Sequence, residues 1–284
     1  MKKPIALFAT FIILSLIISG CKKKNTEINH QDEINSVHNI NLLQHTISEV
    51  TTTFIKAIND SLLLATNDAV FEGCYLSLNT SGSTDTLIMD YGTGSIVHDR
   101  WLEGLIIVDI EGGINTVGST ATINYLTFSC DIPVKTLVTS GSCVVTVQSK
   151  TPISASYQQS LTDFKCTIDT LDRNWASMTG ELVYDYKKSG NSNYYSAKDT
   201  IEISMNSAYS DFKERALTST SIKPTQLGNN CSYLSFGESQ IDITAPDAAT
   251  GTLFFNESSK VCMSRFKFEM NNNIFKFDQL WEIK

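Results

Sequence analysis

The stretch Leu105-Ile106-Ile107-Val108-Asp109-Ile110-Glu111, closed by Gly112-Gly113, indicates the fold class of this 284-residue chain. Its β-branched and apolar residues favour an extended strand, and the glycine pair predicts a turn at its end. Short strands of the same kind, separated by Gly, Ser, Asn or Asp, recur on both sides of it between residues 74 and 280. Strands of this length and spacing predict an antiparallel all-β body.

Two segments of this region look alike and bear on the number of domains. Cys74-Tyr75-Leu76-Ser77-Leu78 and Cys231-Ser232-Tyr233-Leu234-Ser235-Phe236 are each followed by turns and then by an alternating strand. One interpretation is a duplication, with two similar, β-sandwich-like domains at residues 67–165 and 166–284. The other is a chance similarity between strands of like composition. Strands and helices do not alternate, so a doubly wound nucleotide-binding sheet is disfavoured and no cofactor is expected.

An amphipathic helix is predicted before the β-body, at residues 37–66. Ile40, Leu43, Ile47 and Val50 recur every three or four residues, which places them on one face of a helix. We expect this face to pack on the β-body and the helix to contain a break. The alternative is an exposed coiled-coil seam.

The chain begins with the features of an exported protein. The basic pair Lys2-Lys3 precedes an uncharged apolar run, Ile5–Ile18, and the small residues Ser19-Gly20 come directly before Cys21. This order is typical of a secretory signal peptide, predicted here at residues 1–20. The apolar run is shorter than the roughly 20 residues that span a bilayer, which disfavours the alternative of a retained transmembrane helix.

A cysteine placed directly after small residues resembles the lipobox of bacterial lipoproteins. The resemblance implies that Cys21 is acylated, for example with palmitate, becomes the mature N-terminus and anchors the protein in a membrane. Lys22 provides no aspartate-type retention signal, so the outer membrane is the expected location, on either of its faces. The polar residues 21–36 are predicted to be a flexible tether.

The charge balance of the mature chain narrows the classes of partner. Removal of residues 1–20 leaves 20 basic against 30 acidic side chains. An acidic surface disfavours nucleic acid and anionic lipid as partners. The local cluster Lys22-Lys23-Lys24 is the exception, and we expect it to lie against lipid headgroups beside the anchor.

Several further motifs have counterparts in known lipoproteins. They are Thr86–Gly94 (TLIMDYGTG), Arg100 with the strand Gly104–Val108, the segment Leu227–Cys231 and the closing strand Ile274–Trp281. With the lipobox, they make the chain similar to a broad group of uncharacterised outer-membrane lipoproteins of Bacteroidota. The resemblance implies an N-terminal helix, a β-rich body and an outer-membrane location, and it implies no particular activity.

Cysteine usage agrees with export. After Cys21 an even number remains, which in an oxidising compartment allows up to three disulfides whose connectivity stays open. No CxxC or CxxH spacing occurs, so a zinc site is not predicted. The six candidate residues are Cys74, Cys130, Cys143, Cys166, Cys231 and Cys262.

The resemblance to the lipoprotein group also suggests pairings. It implies a disulfide Cys231–Cys262, whereas the cysteine that would face Cys74 in such proteins is replaced by Ser95. Cys130 and Cys143 flank a turn and are predicted to cross-link it. Cys74 would then pair with Cys166.

Residues that could carry catalysis are few. His38 and His45 are seven apart, a spacing that does not match the usual zinc pairs on a helix, so we expect them on a solvated helix face and predict no metal. Gly92-Thr93-Gly94 has strand residues behind it, where a phosphate site needs a helix N-terminus, and no nucleophile motif accompanies His98. No catalytic residue is therefore assigned.

Aromatic residues near polar turns provide the strongest indication of binding. Trp175, Tyr194 and Tyr195 are candidate contacts to a glycan or protein partner, with core packing as the alternative. The resulting hypothesis is a non-catalytic binding, adhesion or assembly protein of the cell envelope, held by its lipid. The alternative is an envelope glycan hydrolase with paired carboxylates, for which Asp109 with Glu111, or Asp242 with Asp247, would be candidates.

Overall fold

The computed structural model describes residues 31–71, 73–80, 84–97, 100–131, 135–168, 175–190, 196, 198–228, 231–244, 248–255, 265–271 and 273–278. The chain in these ranges begins with helix α1 (Gln31–Ile58), followed after a break by the short helix α2 (Ser61–Thr66). The predicted helix 37–66 is therefore present with its break, but it begins within residues 21–36, where a flexible tether was expected. The predicted signal peptide and Cys21 lie outside the described residues.

Seventeen strands follow the helices within the described ranges. Their bounds are β1 Asp68–Phe71, β2 Cys74–Asn79, β3 Thr84–Val97, β4 Arg100–Glu111, β5 Thr120–Tyr125, β6 Ser129–Asp131, β7 Lys135–Lys150, β8 Ser154–Ile168, β9 Trp175–Lys187, β10 Thr200–Asp211, β11 Ala216–Lys223, β12 Thr225–Gly228, β13 Cys231–Ser235, β14 Glu238–Ile243, β15 Ala249–Phe255, β16 Arg265–Met270 and β17 Asn273–Asp278.

All seventeen strands belong to one sheet, and every pairing in it is antiparallel. From β1 to β10 the strands follow one another as a meander, and beyond β10 the pairing of β11 with β14 joins strands that are not neighbours along the chain. β5 and β6 share the space between β4 and β7, and β10 pairs with both β11 and β12. The prediction of an antiparallel all-β body preceded by an N-terminal helix is confirmed.

The division into domains at residues 67–165 and 166–284 stays a prediction, while the sheet itself is continuous across the expected boundary. Residues Glu33–Lys284 cluster as one compact unit. The expected boundary falls inside β8, which pairs along most of its length with β7 on one side and β9 on the other. Because backbone hydrogen bonds continue across this point, the two halves of the chain share one sheet.

Helix α1 is buried on nearly all of its faces. The predicted apolar residues Ile40, Leu43, Ile47 and Val50 are at most 2% exposed. The polar face is buried as well, because the helix contacts β8 and β10, which flank β9, and also β16, which is linked to β10 through β11, β14 and β15. The sheet therefore curves around the helix, which rules out the exposed coiled-coil alternative.

The burial of the polar face corrects the expectation for the two helix histidines. His45 is only 3% exposed, and the His38 ring stacks on Phe266 of β16 with 6.0 Å between ring centroids. Burial lowers the pKa of His38 below its ordinary value. Neither histidine lies on a solvated helix face.

Side-chain hydrogen bonds fix the two ends of α1. Near its start, Ser36 Oγ donates to the Asp211 carboxylate at 2.5 Å and accepts from the Arg215 guanidinium at 3.0 Å, at the turn between β10 and β11. At its end, the Asn115 amide donates to the Ile58 carbonyl and to Asn59 Oδ1, both at 3.0 Å, in the loop between β4 and β5. We call the part of the body around Ser36, Asp211 and Arg215 the helix-start end. The part around Ile58 and Asn115 is the helix-finish end.

Candidate binding surface

The outer face of the sheet carries a row of apolar and aromatic side chains near the helix-start end. The register places Leu137 of β7 opposite Thr167 of β8, and Thr167 opposite Trp175 of β9. Residues directly opposite one another in an antiparallel sheet have side chains on the same face. Phe212, which follows β10, continues the row because its N–H donates to the Trp175 carbonyl at 3.1 Å.

A second part of the row lies on β3 and β4. Ile96 is directly opposite Trp101 in the register, and the two residues are 72% and 43% exposed. The Trp101 indole lies on the backbone of Gly94, where a Cβ would be only 1.9 Å from a ring carbon. We call the five side chains Ile96, Trp101, Leu137, Trp175 and Phe212 the apolar row.

Lysine side chains accompany the aromatic members of the row. The Lys165 ammonium stands 4.1 Å from the centroid of the Trp175 ring, and the Lys213 ammonium stands 5.7 Å from that of Phe212. A cation over an aromatic ring is attracted by the ring quadrupole. Trp175 is therefore half-buried, with a positive charge over its ring.

The Glu103 carboxylate holds the Trp101 end of the row in place. It accepts hydrogen bonds from Ser129 Oγ at 2.8 Å and from Trp101 Nε1 at 3.3 Å, and it forms an ion pair with Lys135. The hydrogen bonds from Lys135 and Ser129 lower the pKa of the Glu103 carboxyl. Glu103 is thus a charged acceptor for the indole at neutral pH.

Two more exposed apolar residues lie at the helix-start end. Val70 next to the β1–β2 turn is 79% exposed, and Ile274 at the start of β17 is 58% exposed. The turn that follows Val70 is close to the row, since Gly73 lies against Ser95 and Val97 of β3. Exposed apolar side chains that lie together are the feature by which a contact surface is recognised.

The candidate acids Asp109 and Glu111 lie two residues apart on the outer face of β4, and Asp247 of the second candidate pair lies outside the described residues. Asp109 lies half-buried on β4, where its carboxylate accepts from Thr86 Oγ1 at 3.3 Å and from Asn124 Nδ2 at 3.1 Å. These neighbours occupy the two carboxylate oxygens across adjacent strands. Glu111 is exposed at the end of the same strand.

No group of three or more potential metal-ligating side chains occurs among the described residues. Within the same ranges, none of the helices has the length and hydropathy that a membrane span requires.

The described cysteines differ from the predicted disulfides. Cys74, Cys143 and Cys166 are free and completely buried, so neither Cys130–Cys143 nor Cys74–Cys166 is present. Cys130 faces Thr136 in the register, and Cys143 lies seven residues beyond Thr136 along β7, too far for a disulfide. Cys262 lies outside the described residues, as does the side chain of Cys231.

Of the three predicted contact residues, the structure places Trp175 in the apolar row, while Tyr194 and Tyr195 lie outside the described residues. Sequence reasoning missed Ile96, Trp101, Leu137 and Phe212. A signal was available for two of them: Ile96-Val97 and Leu137-Val138 are adjacent apolar pairs within strands. Since successive side chains of a strand point to opposite faces, one member of each pair must face outward.

Searches of protein-family models, curated proteins and solved structures return no match to this chain.

Proposed function

We propose that this protein is a lipid-anchored, non-catalytic component of the bacterial outer membrane that acts by binding through the outside of its β-body. The anchor rests on the order of charge, apolar run and small residues before Cys21. The similarity to Bacteroidota lipoproteins supports the same location.

The observation that carries the binding role is the filled interior of the sheet. Helix α1 occupies the space that the curved sheet encloses, and its side chains from Val37 to Phe54 are almost all buried. Among the described residues, these helix side chains take the place that a ligand takes inside an open barrel. The exposed aromatic and apolar residues lie on the outside, where a partner can reach them.

A membrane pull-down tests this proposal. Tagged, natively lipidated protein is purified from gently solubilised membranes, with Cys21→Ser as the matched control that cannot be acylated. We expect the wild type in the membrane fraction together with a stoichiometric protein or glycan partner. We expect Cys21→Ser in the soluble fraction with much less of that partner.

Two results would contradict the proposal. Equal recovery of wild type and Cys21→Ser in the soluble fraction would show that Cys21 does not carry a lipid anchor. Turnover of an envelope glycan by the purified protein, lost on substitution of one carboxylate, would make it a hydrolase.

A further inference from the structure

We propose that the apolar row is a membrane-facing surface, by which the body lies against the lipid interface beside its own anchor. This inference rests on the proposed lipid anchor at Cys21. The row contacts the zwitterionic headgroup region of the bilayer interface.

The chain between the anchor and the body is short. Only nine residues, 22–30, lie between Cys21 and Gln31, where α1 begins, so Gln31 is the tenth residue after the anchor. A chain of ten residues spans at most about 36 Å even when fully extended. Ser36 of α1 is held to the turn between β10 and β11, so the helix begins at the helix-start end.

The apolar row lies at the helix-start end as well. Phe212 belongs to the β10–β11 turn that contacts Ser36, and Trp175 is joined to Phe212 by a backbone hydrogen bond. Trp101 lies near the start of β4 and Ile96 near the end of β3, so both are at the same end of the sheet. The surface nearest to the start of the helix is therefore the one that carries exposed tryptophan and isoleucine.

The apolar row combines the side chains that are favoured at a membrane interface. Tryptophan is enriched at membrane–water interfaces, where its apolar ring and its polar N–H are both accommodated. Lysine can keep its ammonium among headgroups while its methylenes lie along apolar surface. Trp175 with Lys165, and Phe212 with Lys213, present this combination.

The acidic balance of the mature chain is compatible with this contact. A net negative body gains little from anionic headgroups, so the contact depends on apolar and aromatic groups and suits a zwitterionic interface. The anchor makes the contact intramolecular in effect, because it holds the row at a high local concentration near the bilayer. The individual contacts can then be weak and still populated.

Contact quenching of single tryptophans tests the inference on the natively lipidated protein. Vesicles of phosphatidylcholine with brominated acyl chains quench only an indole that reaches the acyl-chain boundary. One variant keeps Trp101 alone (W175F/W281F), and another keeps Trp175 alone (W101F/W281F). In the control, all three tryptophans become phenylalanine and Ile153→Trp adds one indole near the β7–β8 turn at the helix-finish end, where Ile153 is 53% exposed.

We expect brominated lipid to cause a loss of fluorescence from Trp101 and Trp175 and no loss from the indole at position 153. Adding Ile96→Ser and Leu137→Ser to the Trp175 protein should reduce its quenching, whereas adding Ile153→Ser should not. Unchanged far-ultraviolet circular dichroism of each variant excludes unfolding as the cause.

The outcomes separate this inference from the proposed function. Vesicle-bound protein with neither row tryptophan quenched would overturn the membrane contact and leave the anchor standing. Protein that fails to bind the vesicles at all would overturn both. A photo-crosslinker placed at Ile96 that captures a protein and no lipid in native membranes would assign the row to a protein partner instead.

Discussion

Gln159 is a side chain that connects the helix directly to the sheet. It is completely buried on β8, and its amide nitrogen donates to Thr51 Oγ1 of α1 at 2.8 Å and to Cys143 Sγ of β7 at 2.8 Å. Its amide oxygen accepts from the Tyr184 hydroxyl of β9 at 2.6 Å. One residue thus satisfies polar groups on the helix and on two neighbouring strands.

Gln159→Leu should destabilise the protein, because it leaves the buried hydroxyl groups of Thr51 and Tyr184 without this partner. A buried polar group that loses its hydrogen bond costs about 1–3 kcal/mol. Chemical denaturation should show a loss of this size in the free energy of unfolding. The control is Gln148→Leu on exposed β7 surface, which should change it by less than about 0.5 kcal/mol. Equal effects would show that the contact to α1 is unimportant.

The buried thiols predict a loss of stability at alkaline pH. Burial raises the pKa of Cys74 and of Cys143 from 9.0 to about 12, and it raises the pKa of Tyr184 above its ordinary 10.0. Above pH 9 the unfolded chain releases these protons while the folded chain retains them. Their contribution is therefore fully present below pH 9 and is lost as pH rises from about 9 towards 12.

The measurement is the free energy of unfolding as a function of pH between 8 and the onset of unfolding. Each such thiol adds a slope of about 1 kcal/mol per pH unit in this window. Cys143→Ala should make the slope shallower than in the wild type, whatever its effect on stability at neutral pH. A flat profile above pH 9 would contradict the burial of these groups.

At the scale of elements, α1 shows how far the sequence predicts its surroundings. Its apolar period correctly predicts a helix that packs on the β-body, but amphipathicity wrongly places its other face in solvent. The polar face from Ile40 to Ile58 contains mainly Asn, Gln, Ser and Thr, with Glu49 and Lys56 as the formally charged residues. Uncharged polar side chains can be buried when they are hydrogen-bonded. The scarcity of charge was the available signal.

The β-bulge on β8 is a second element whose effect can be tested. Gly141 of β7 is opposite two residues, Asp163 and Phe164, between the pairs Ser140–Lys165 and Ser142–Thr162. The extra residue allows Leu161 and Phe164 both to face the core, where each is at most 2% exposed. Gly141 has φ of 112°, and a Cβ there would be 2.3 Å from the Phe164 Cα.

Gly141→Ala should therefore destabilise the fold by about 1–3 kcal/mol or more, the cost of a strained backbone together with a steric clash. Thermal unfolding should show a clearly lower midpoint. Gly190→Ala is the matched control, because a Cβ there meets nothing within 4 Å, and it should leave the midpoint almost unchanged. A Gly141→Ala protein as stable as the control would mean that β7 and β8 can separate at the bulge.

At the scale of the whole molecule, strand composition and turn residues were sufficient to predict an antiparallel all-β body. They were insufficient for its closure around α1, because which strands contact the helix depends on curvature and register. The apolar row was only partly predictable for the same reason: Trp175 and Leu137 are about forty residues apart in sequence, and only the pairing through Thr167 brings them side by side.

The continuity of the sheet gives the last prediction, that the body unfolds in a single transition. β8 pairs with strands of both halves, and α1 contacts β8, β10 and β16, so neither half can keep its core after the other unfolds. Circular dichroism and tryptophan fluorescence should therefore give coincident transitions, and the calorimetric and van't Hoff enthalpies should agree. Two separate transitions, with a protease-resistant fragment ending near residue 165, would instead favour two domains. The anchor could then hold one half while the other moves, and a fixed membrane contact through Trp101 and Trp175 together would no longer be expected.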